Sequence, residues 1–329
     1  MPVKDPPAPP TAADISAAAD RALSRCRKIA AVTETPGKTF RPFLCPSAKA
    51  VHDLVTGWMR EADLAVRVDA VGNLVGRRAA GVMSAGEGSG DSRPPLADAP
   101  TLILGSHLDT VPDAGAFDGI LGVMMGLAVV ETLGRRPLPF AIDVIGFSEE
   151  EGVRFRTPYL GSLATVGRLT PELLAKTDAD GKTVADAIRD FCLDPAAVPA
   201  ARYAPGSVAG YLEIHIEQGP VLEALGRPLG VVTGITGQTR AWMRFRGKAG
   251  HAGTSPMDLR RDALTGAAEL VLEAERLGRA VEGLRATVGQ ISAMPGAVNV
   301  VPGETRLSLD VRHIEDPKRD SAVGSLLSF

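Results

Sequence analysis

One stretch constrains this chain more than any other: "GSHLDTVPDAGAFDGILGV", Gly105 to Val123. An apolar run, "TLILGS", leads into it and another, "GILGVMMGLAVV", leads out. Between them stand His107, Asp109, Asp113 and Asp118. Isolated carboxylates are costly to bury, so four chargeable groups between a core strand and a core helix need a partner. A divalent cation is the most economical common one, because imidazole and carboxylate both suit Zn2+ or Mn2+. His107 at the strand end and Asp118 before the helix can converge on one ion. Asp109, two residues after His107, can orient the imidazole from behind. Taken alone, a His-x-Asp also fits an ordinary surface turn.

Further signals follow along the chain. "FAIDVIGFSEEEG" reads as a strand running into Glu149, Glu150 and Glu151. Three adjacent glutamates form either a solvated acidic turn or a metal ligand with a general base beside it. The second arrangement is what metal-assisted hydrolysis needs, because a metal lowers the pKa of its water to about 7. "AGYLEIHIEQGPVLE" reads as a further strand with His215 within it, as a core histidine or a ligand. "GKAGHAGTSPM" holds His251 in a turn of small residues. "PGAVNVVPGE…LDVRH" sets Asn299 and Arg312 on neighbouring strands. Arg312 could take a substrate carboxylate bidentately or make a surface salt bridge. His52 and His313 receive no role.

The wider pattern predicts the fold class. "DISAAADRALSRCRKIAAV" and "PSAKAVHDLVTGWMREADL" have helical periodicity, and "AVRVDAVGNLVGRR" reads as a strand pair turning near Gly72-Asn73. "AAGVMSAGEGSGDSRPPLADAP" reads as a solvated loop. The strand-helix-strand rhythm after it predicts an α/β fold: a mixed, largely parallel sheet with flanking helices, carrying a metal site at strand carboxyl ends. Past Gly226 the pattern changes to an alternating ribbon, the amphipathic helix "SPMDLRRDALTGAAELVLEAERLGRA" and more strands, an inserted α+β domain. The expected division is a disordered tail over 1–13, a metal-binding catalytic domain over 14–224, a lid or dimerisation domain over 225–320, and the start of a return segment over 321–329.

Composition narrows the partners. A formal net charge of −3 implies neither nucleic acid nor an anionic membrane surface. No apolar run approaches the ~18 residues of a membrane span. The Pro-rich start lacks the apolar core of a secretory signal. Cys26, Cys45 and Cys192 are odd in number and widely spaced, so a reducing cytoplasm is the expectation.

Jointly, "GSHLDTVPDAGAFDG", "EEEGVRF", "EIHIEQGPVLE", "GKAGHAGTSPM" and "GAVNVVPGE…DVRH" resemble the dinuclear-metal aminoacylase/carboxypeptidase superfamily. The chain is most similar to its ureido-acid amidohydrolase branch of allantoate amidohydrolases, N-carbamoyl-L-amino acid hydrolases and β-ureidopropionases. The resemblance runs from about Asp14 to Asp316. It implies a metal site of His107, Asp118 and His215, with Asp118 bridging to a second divalent ion held by Glu151. The ions would be Zn2+, Mn2+ or Co2+. It implies Glu150 as the base, Asp109 beside the catalytic centre, and Gln218, His251, Asn299 and Arg312 as groups holding the substrate or its developing oxyanion. A one-residue slip in the acidic run would make base and ligand Glu149 and Glu150. It also implies a homodimer formed through the inserted domain and a small ureido acid as substrate, allantoate first and N-carbamoyl amino acids next. A metallo-aminopeptidase or aminoacylase, or a non-catalytic binding protein, are the competing expectations. Such proteins draw one more histidine for the second ion from a later segment. Among this chain's five histidines none is left for it, so the resemblance implies a C-terminally truncated chain with one metal position impaired.

Overall fold

The computed structural model of the chain describes residues 9–81 and 99–329. The tail before residue 9 and most of the Gly/Ser/Pro-rich loop lie outside the described residues. The chain divides into two compact units, Met1–Gly219 and Pro220–Phe329.

The N-terminal unit begins with helix α1 (Ala12–Ala30), inside the stretch expected to be tail. Thr11 explains the start: its hydroxyl accepts from Asp14 N–H while the Asp14 carboxylate accepts from Thr11 N–H, a reciprocal cap. Next come α2 (Pro46–Glu61), β1 (Ala65–Val68), β2 (Leu74–Arg78), β3 (Thr101–His107), α3 (Ile120–Leu133) and β4 (Ala141–Phe147). Three short helices follow, α4 (Leu160–Thr165), α5 (Pro171–Leu174) and α6 (Val184–Asp190), and then β5 (Val208–Leu212).

The sheet order is β1-β2-β4-β3-β5. It is mixed, as expected: β1 and β4 run antiparallel to β2, whereas β3 runs parallel to both β4 and β5. Alternation along the strands buries both faces. Leu74, Leu104, Ile142 and Val144 pack with α1, α2 and α3. Val75, Ile103, Ile145 and Phe147 pack with Tyr203 and Val208. Helix α3, apolar nearly all round, is buried along most of its length.

β5 stops at Leu212, so His215 lies beyond the strand rather than within it. The register still aligns it. His107 pairs alongside Phe147 at the end of β4, and Leu104 is opposite Leu212 in β5. His107, the acidic run and His215 therefore all emerge at the carboxyl edge of the parallel strands, where ligands of such sheets collect.

The C-terminal unit contains α7 (Val221–Ala224), β6 (Gly237–Arg246), β7 (Gly250–His251), α8 (Ala263–Ala280), β8 (Arg285–Thr287), β9 (Ile291–Met294), β10 (Val300–Val301), β11 (Glu304–His313) and α9 (Asp316–Leu327). The expected ribbon is strand only from Gly237, and the helix of "SPMDLRRDALTG…" begins only at Ala263, capped by the Asp262 side chain. β11 is central: it pairs antiparallel with β6, β8 and β9. Its alternate residues Leu307, Leu309 and Val311 face α8 and α9, whose Ala267, Leu270, Ala274, Ala322 and Leu326 complete one core. The expected boundary at residue 320 falls inside α9, which continues to Leu327 within the same unit. Among the described residues no helix is long and apolar enough to cross a membrane.

Candidate metal centre

His107 is 2% exposed at the end of β3. Its Nδ1 lies 2.9 Å from the Asp109 carbonyl oxygen and 3.5 Å from the Asp109 carboxylate. A carbonyl oxygen only accepts, so Nδ1 carries the proton and donates. His215 is held the same way, with Nδ1 donating to the Ile216 carbonyl at 2.8 Å. Both rings thus turn Nε2 inward, and the two Nε2 atoms lie 3.4 Å apart. The Asp118 carboxylate is 3.4 Å from His215 Nε2. Two inward lone pairs at that distance repel unless a proton or a metal ion lies between them.

The same point gathers carboxylates. His107, Asp118 and His215 offer ligand atoms within 4.8 Å of one another, and so do His107, Glu150 and Glu151. The Asp109 carboxylate accepts from the backbone N–H groups of Glu150 and Glu151 at 3.0 Å, fixing the acidic run against β3. Glu149 is 1% exposed, its Oε1 accepts from Gly152 N–H, and it is not among the clustered ligand groups. Glu151 Oε1 is buried without a hydrogen-bond partner. A buried, unpartnered carboxylate oxygen within ligand distance of the inward His107 imidazole fits a divalent cation.

The electrostatics express the same crowding. Burial, and then the neighbouring Glu150, Asp118 and Asp109 charges, push the Glu151 carboxyl up to about 7 against the pull of His107. Burial also raises Glu150, again with the imidazole of His107 opposing it. For His107 burial alone would lower the pKa, but the hydrogen bond and charge of Asp109 outweigh it and raise it to about 9. Without an ion, the cluster draws a proton to do a cation's work.

Four of the expected groups therefore come together with Asp109 and Glu150. Gln218 joins them, with Nε2 donating to Asp118 Oδ1 at 2.8 Å. Asp113 does not. It is an exposed group paired with Lys38 at 3.1 Å, so of the four strand-end charges only His107 and Asp118 offer ligand atoms, with Asp109 behind His107. The turn from "DTVPDAG" loops outward before Asp118 returns to the helix start.

Gly119 went unnoticed in the sequence. It precedes α3 with φ 69°, and a Cβ there would overlap the His107 ring. Its signal was the Asp-Gly pair just before an apolar helix. A Cβ added at Gly122, three residues on, would lie equally close to the Ile214 carbonyl oxygen.

In the C-terminal unit, β7 pairs with β10, setting His251 opposite Val300. Ala252 N–H donates to the Asn299 carbonyl at 2.9 Å, so His251 and Asn299 come from adjoining segments. Gly253 N–H donates to His251 Nδ1 at 3.1 Å. The neutral ring therefore carries its proton on Nε2, as a free donor. Arg312 Nε and Nη2 both donate to Asp310, at 2.8 and 3.0 Å. His52 and His313 are buried: His52 packs edge-on against Phe191, and His313 hydrogen-bonds the Glu282 carbonyl and Glu315 N–H.

Comparison with known proteins adds the lineage. Residues 233–327 match a peptidase dimerisation domain and residues 89–179 match peptidase family M28. A probable allantoate deiminase from Oryza sativa subsp. japonica is 38% identical across 93% of this chain and 64% of its own length. An N-carbamoyl-L-amino acid amidohydrolase from Geobacillus stearothermophilus is 40% identical across 92% of this chain and 71% of its own. An amidase of the hydantoinase/carbamoylase family from Burkholderia multivorans has a crystal structure that superposes with a TM-score of 0.81 at 34% identity. That match covers 94% of this chain and 72% of the other. The chain belongs to the hydantoinase/carbamoylase branch of the M20/M28 peptidase-like superfamily. Within this branch member, His107, Asp118, Glu150 and Glu151 fall inside the M28 match, and His251, Asn299 and Arg312 inside the dimerisation-domain match. His215 and Gln218 lie between the two matches.

Proposed function

We propose that the chain carries the metal centre and substrate-holding groups of an amidohydrolase that cleaves the ureido C–N bond of allantoate or an N-carbamoyl-L-amino acid. The observation that carries this reading is the pair of inward Nε2 atoms, 3.4 Å apart, with Asp118 beside them. The relatives named above support the ureido chemistry. Allantoate is placed first, because "EEEGVRF" and the "VIGF" strand before it most resemble that subgroup.

His107, Asp118 and His215 would hold one divalent ion, and Glu151 with Asp118 a second. Bound there, an ion supplies Lewis-acid polarisation of a carbonyl and a lowered pKa for water. The orientation of Glu149 toward Gly152 N–H favours Glu150 as base and Glu151 as ligand over the pair one residue earlier. Glu150, its pKa raised by burial, takes a proton from the attacking water and delivers it to the departing nitrogen. Ammonia leaves, and the carbamate breaks down to carbon dioxide and the free amine. His251 Nε2–H and the Asn299 amide are donors for the carbonyl oxygen as it gains charge. Arg312 is the cation for the substrate carboxylate, and the dimerisation-domain match supports a homodimer.

The test is ammonia release from allantoate and from N-carbamoyl-L-amino acids by protein loaded with Zn2+, Mn2+ or Co2+. Release from either supports the reading. Cleavage of dipeptides or N-acyl amino acids instead would move the chain to the peptidase or aminoacylase side. Tight metal binding with no turnover of any of these would mark a binding protein and overturn the catalytic proposal.

A further inference from the structure

We propose that Glu213 positions His215 for metal binding through a side-chain link to Ser106. The inference rests on reading His107, Asp118 and His215 as metal ligands. The β3–β5 ladder ends where Leu104 stands opposite Leu212. The two histidines lie three residues farther along each chain, beyond that last backbone pair. Their Nε2 atoms nevertheless face each other at 3.4 Å, so something other than the ladder keeps the segments in register.

That something is at hand. Ser106, 1% exposed and adjacent to His107, donates its hydroxyl to Glu213 Oε1 at 2.7 Å. Glu213 Oε2 accepts from the Tyr211 hydroxyl. That hydroxyl also lies 3.2 Å from the Gly105 carbonyl oxygen. Both carboxylate oxygens of Glu213 are therefore engaged, one from each segment. Helix α3 closes the arrangement from the side: a Cβ at Gly122 would meet the Ile214 carbonyl oxygen and the Ser106 side chain. Ile214 is the residue between Glu213 and His215. The link is thus fixed one residue before His107 and two before His215. Glu213 itself is not among the clustered ligand groups, so it acts on the ion only through His215.

Outer groups that orient metal ligands typically alter affinity by 10–100-fold when removed. The experiment measures the Zn2+ dissociation constant by chelator competition, together with the Tm of the metal-free protein. The proteins compared are wild type, Ser106→Ala, Glu213→Ala, the double variant, Glu213→Gln and His215→Ala. Each single alanine variant is expected to bind Zn2+ roughly 10–100-fold more weakly. The double variant should be no weaker than the weaker single, because both break one link. Glu213→Gln keeps an acceptor for Ser106 and should lose least. Metal-free Tm values should stay close to wild type; a merely structural role would lower them and leave the ion's affinity unchanged. Wild-type affinity in both single variants, or losses that add in the double variant, overturns the inference. If wild type binds tightly and only His215→Ala loses the ion, the metal reading stands and the Glu213 role falls. If wild type binds no Zn2+, both fall.

Discussion

His107 and His215 present their Nε2 atoms to one another across 3.4 Å, each ring locked by an Nδ1–H donated to a backbone carbonyl. One stands at the end of β3 and the other three residues past the end of β5, 108 positions apart in the chain. The parallel pairing of β3 with β5 brings both chain segments out at the same edge. Asp118 reaches the same point from the start of α3. The arrangement leaves inward ring nitrogens and carboxylates in common need of a cation.

The proposed roles divide the acidic run. Glu150→Gln keeps shape and removes proton acceptance, so turnover of the ureido substrate is expected to fall at least ~100-fold while metal content is retained. Glu151→Gln should loosen an ion, and Glu149→Gln should leave both nearly unchanged. Metal content and ammonia release on the three variants check this. Loss of metal in Glu150→Gln with retention in Glu151→Gln would exchange the two assignments.

Gly119→Ala should damage the centre without touching a ligand. The backbone there has φ 69°, and the added Cβ would overlap the His107 ring. A backbone at φ 69°, ψ −48° is sparsely populated by non-glycine residues and costs roughly 1–3 kcal/mol, and moving the ring should weaken the ion. Urea denaturation and metal titration of the variant measure the two effects. Unchanged affinity would mean that the His107 ring tolerates displacement.

Arg312→Lys keeps the charge but loses the planar fork. KM for a carboxylated ureido substrate should rise strongly with a smaller change in kcat. Asp310 occupies Nε and Nη2 of Arg312, so the substrate would have to use the remaining edge. An unchanged KM removes Arg312 from substrate recognition.

His52 sets an acid limit on stability. Burial lowers its pKa from 6.5 to about 4. The unfolded chain therefore takes up this proton at higher pH than the folded one. The contribution of neutral His52 is full above pH 6.5, is lost as pH falls toward 4, and levels off below that. At 1.36 kcal/mol per pKa unit the loss amounts to about 3 kcal/mol. His52→Leu should flatten the stability profile in that window, as read by urea unfolding at a series of pH values. An equally steep profile in the variant would assign the acid sensitivity elsewhere.

Much of this was legible in the residues because strand and helix periodicity marks where apolar runs end, and the chargeable groups of "GSHLDTVPDAGAFDG" and "SEEEG" stand at those ends. Periodicity does not say where pairing stops. His215 looked like a strand residue because "YLEIHIE" keeps alternating after the ladder ends at Leu212. Nor does it tell which charge turns inward: Asp113 and Asp118 are alike in type, but only Asp118 is returned to the strand edge, whereas Asp113 meets Lys38. The Ser106–Glu213 link joins residues 107 positions apart, and no local pattern marks such a pair. The α9 helix was missed because Ala322 and Leu326 are sparse apolar marks whose burial is decided by β11 and α8.

The most direct measurement is the metal content of the folded protein after equilibration with Zn2+ or Mn2+ and exhaustive dialysis, for wild type, His107→Ala and His215→Ala. Close to one tightly held divalent ion per wild-type chain is expected, with its loss in both variants and circular dichroism unchanged. A folded wild-type protein that retains no ion, or variants that retain it as tightly, would contradict the metal centre itself.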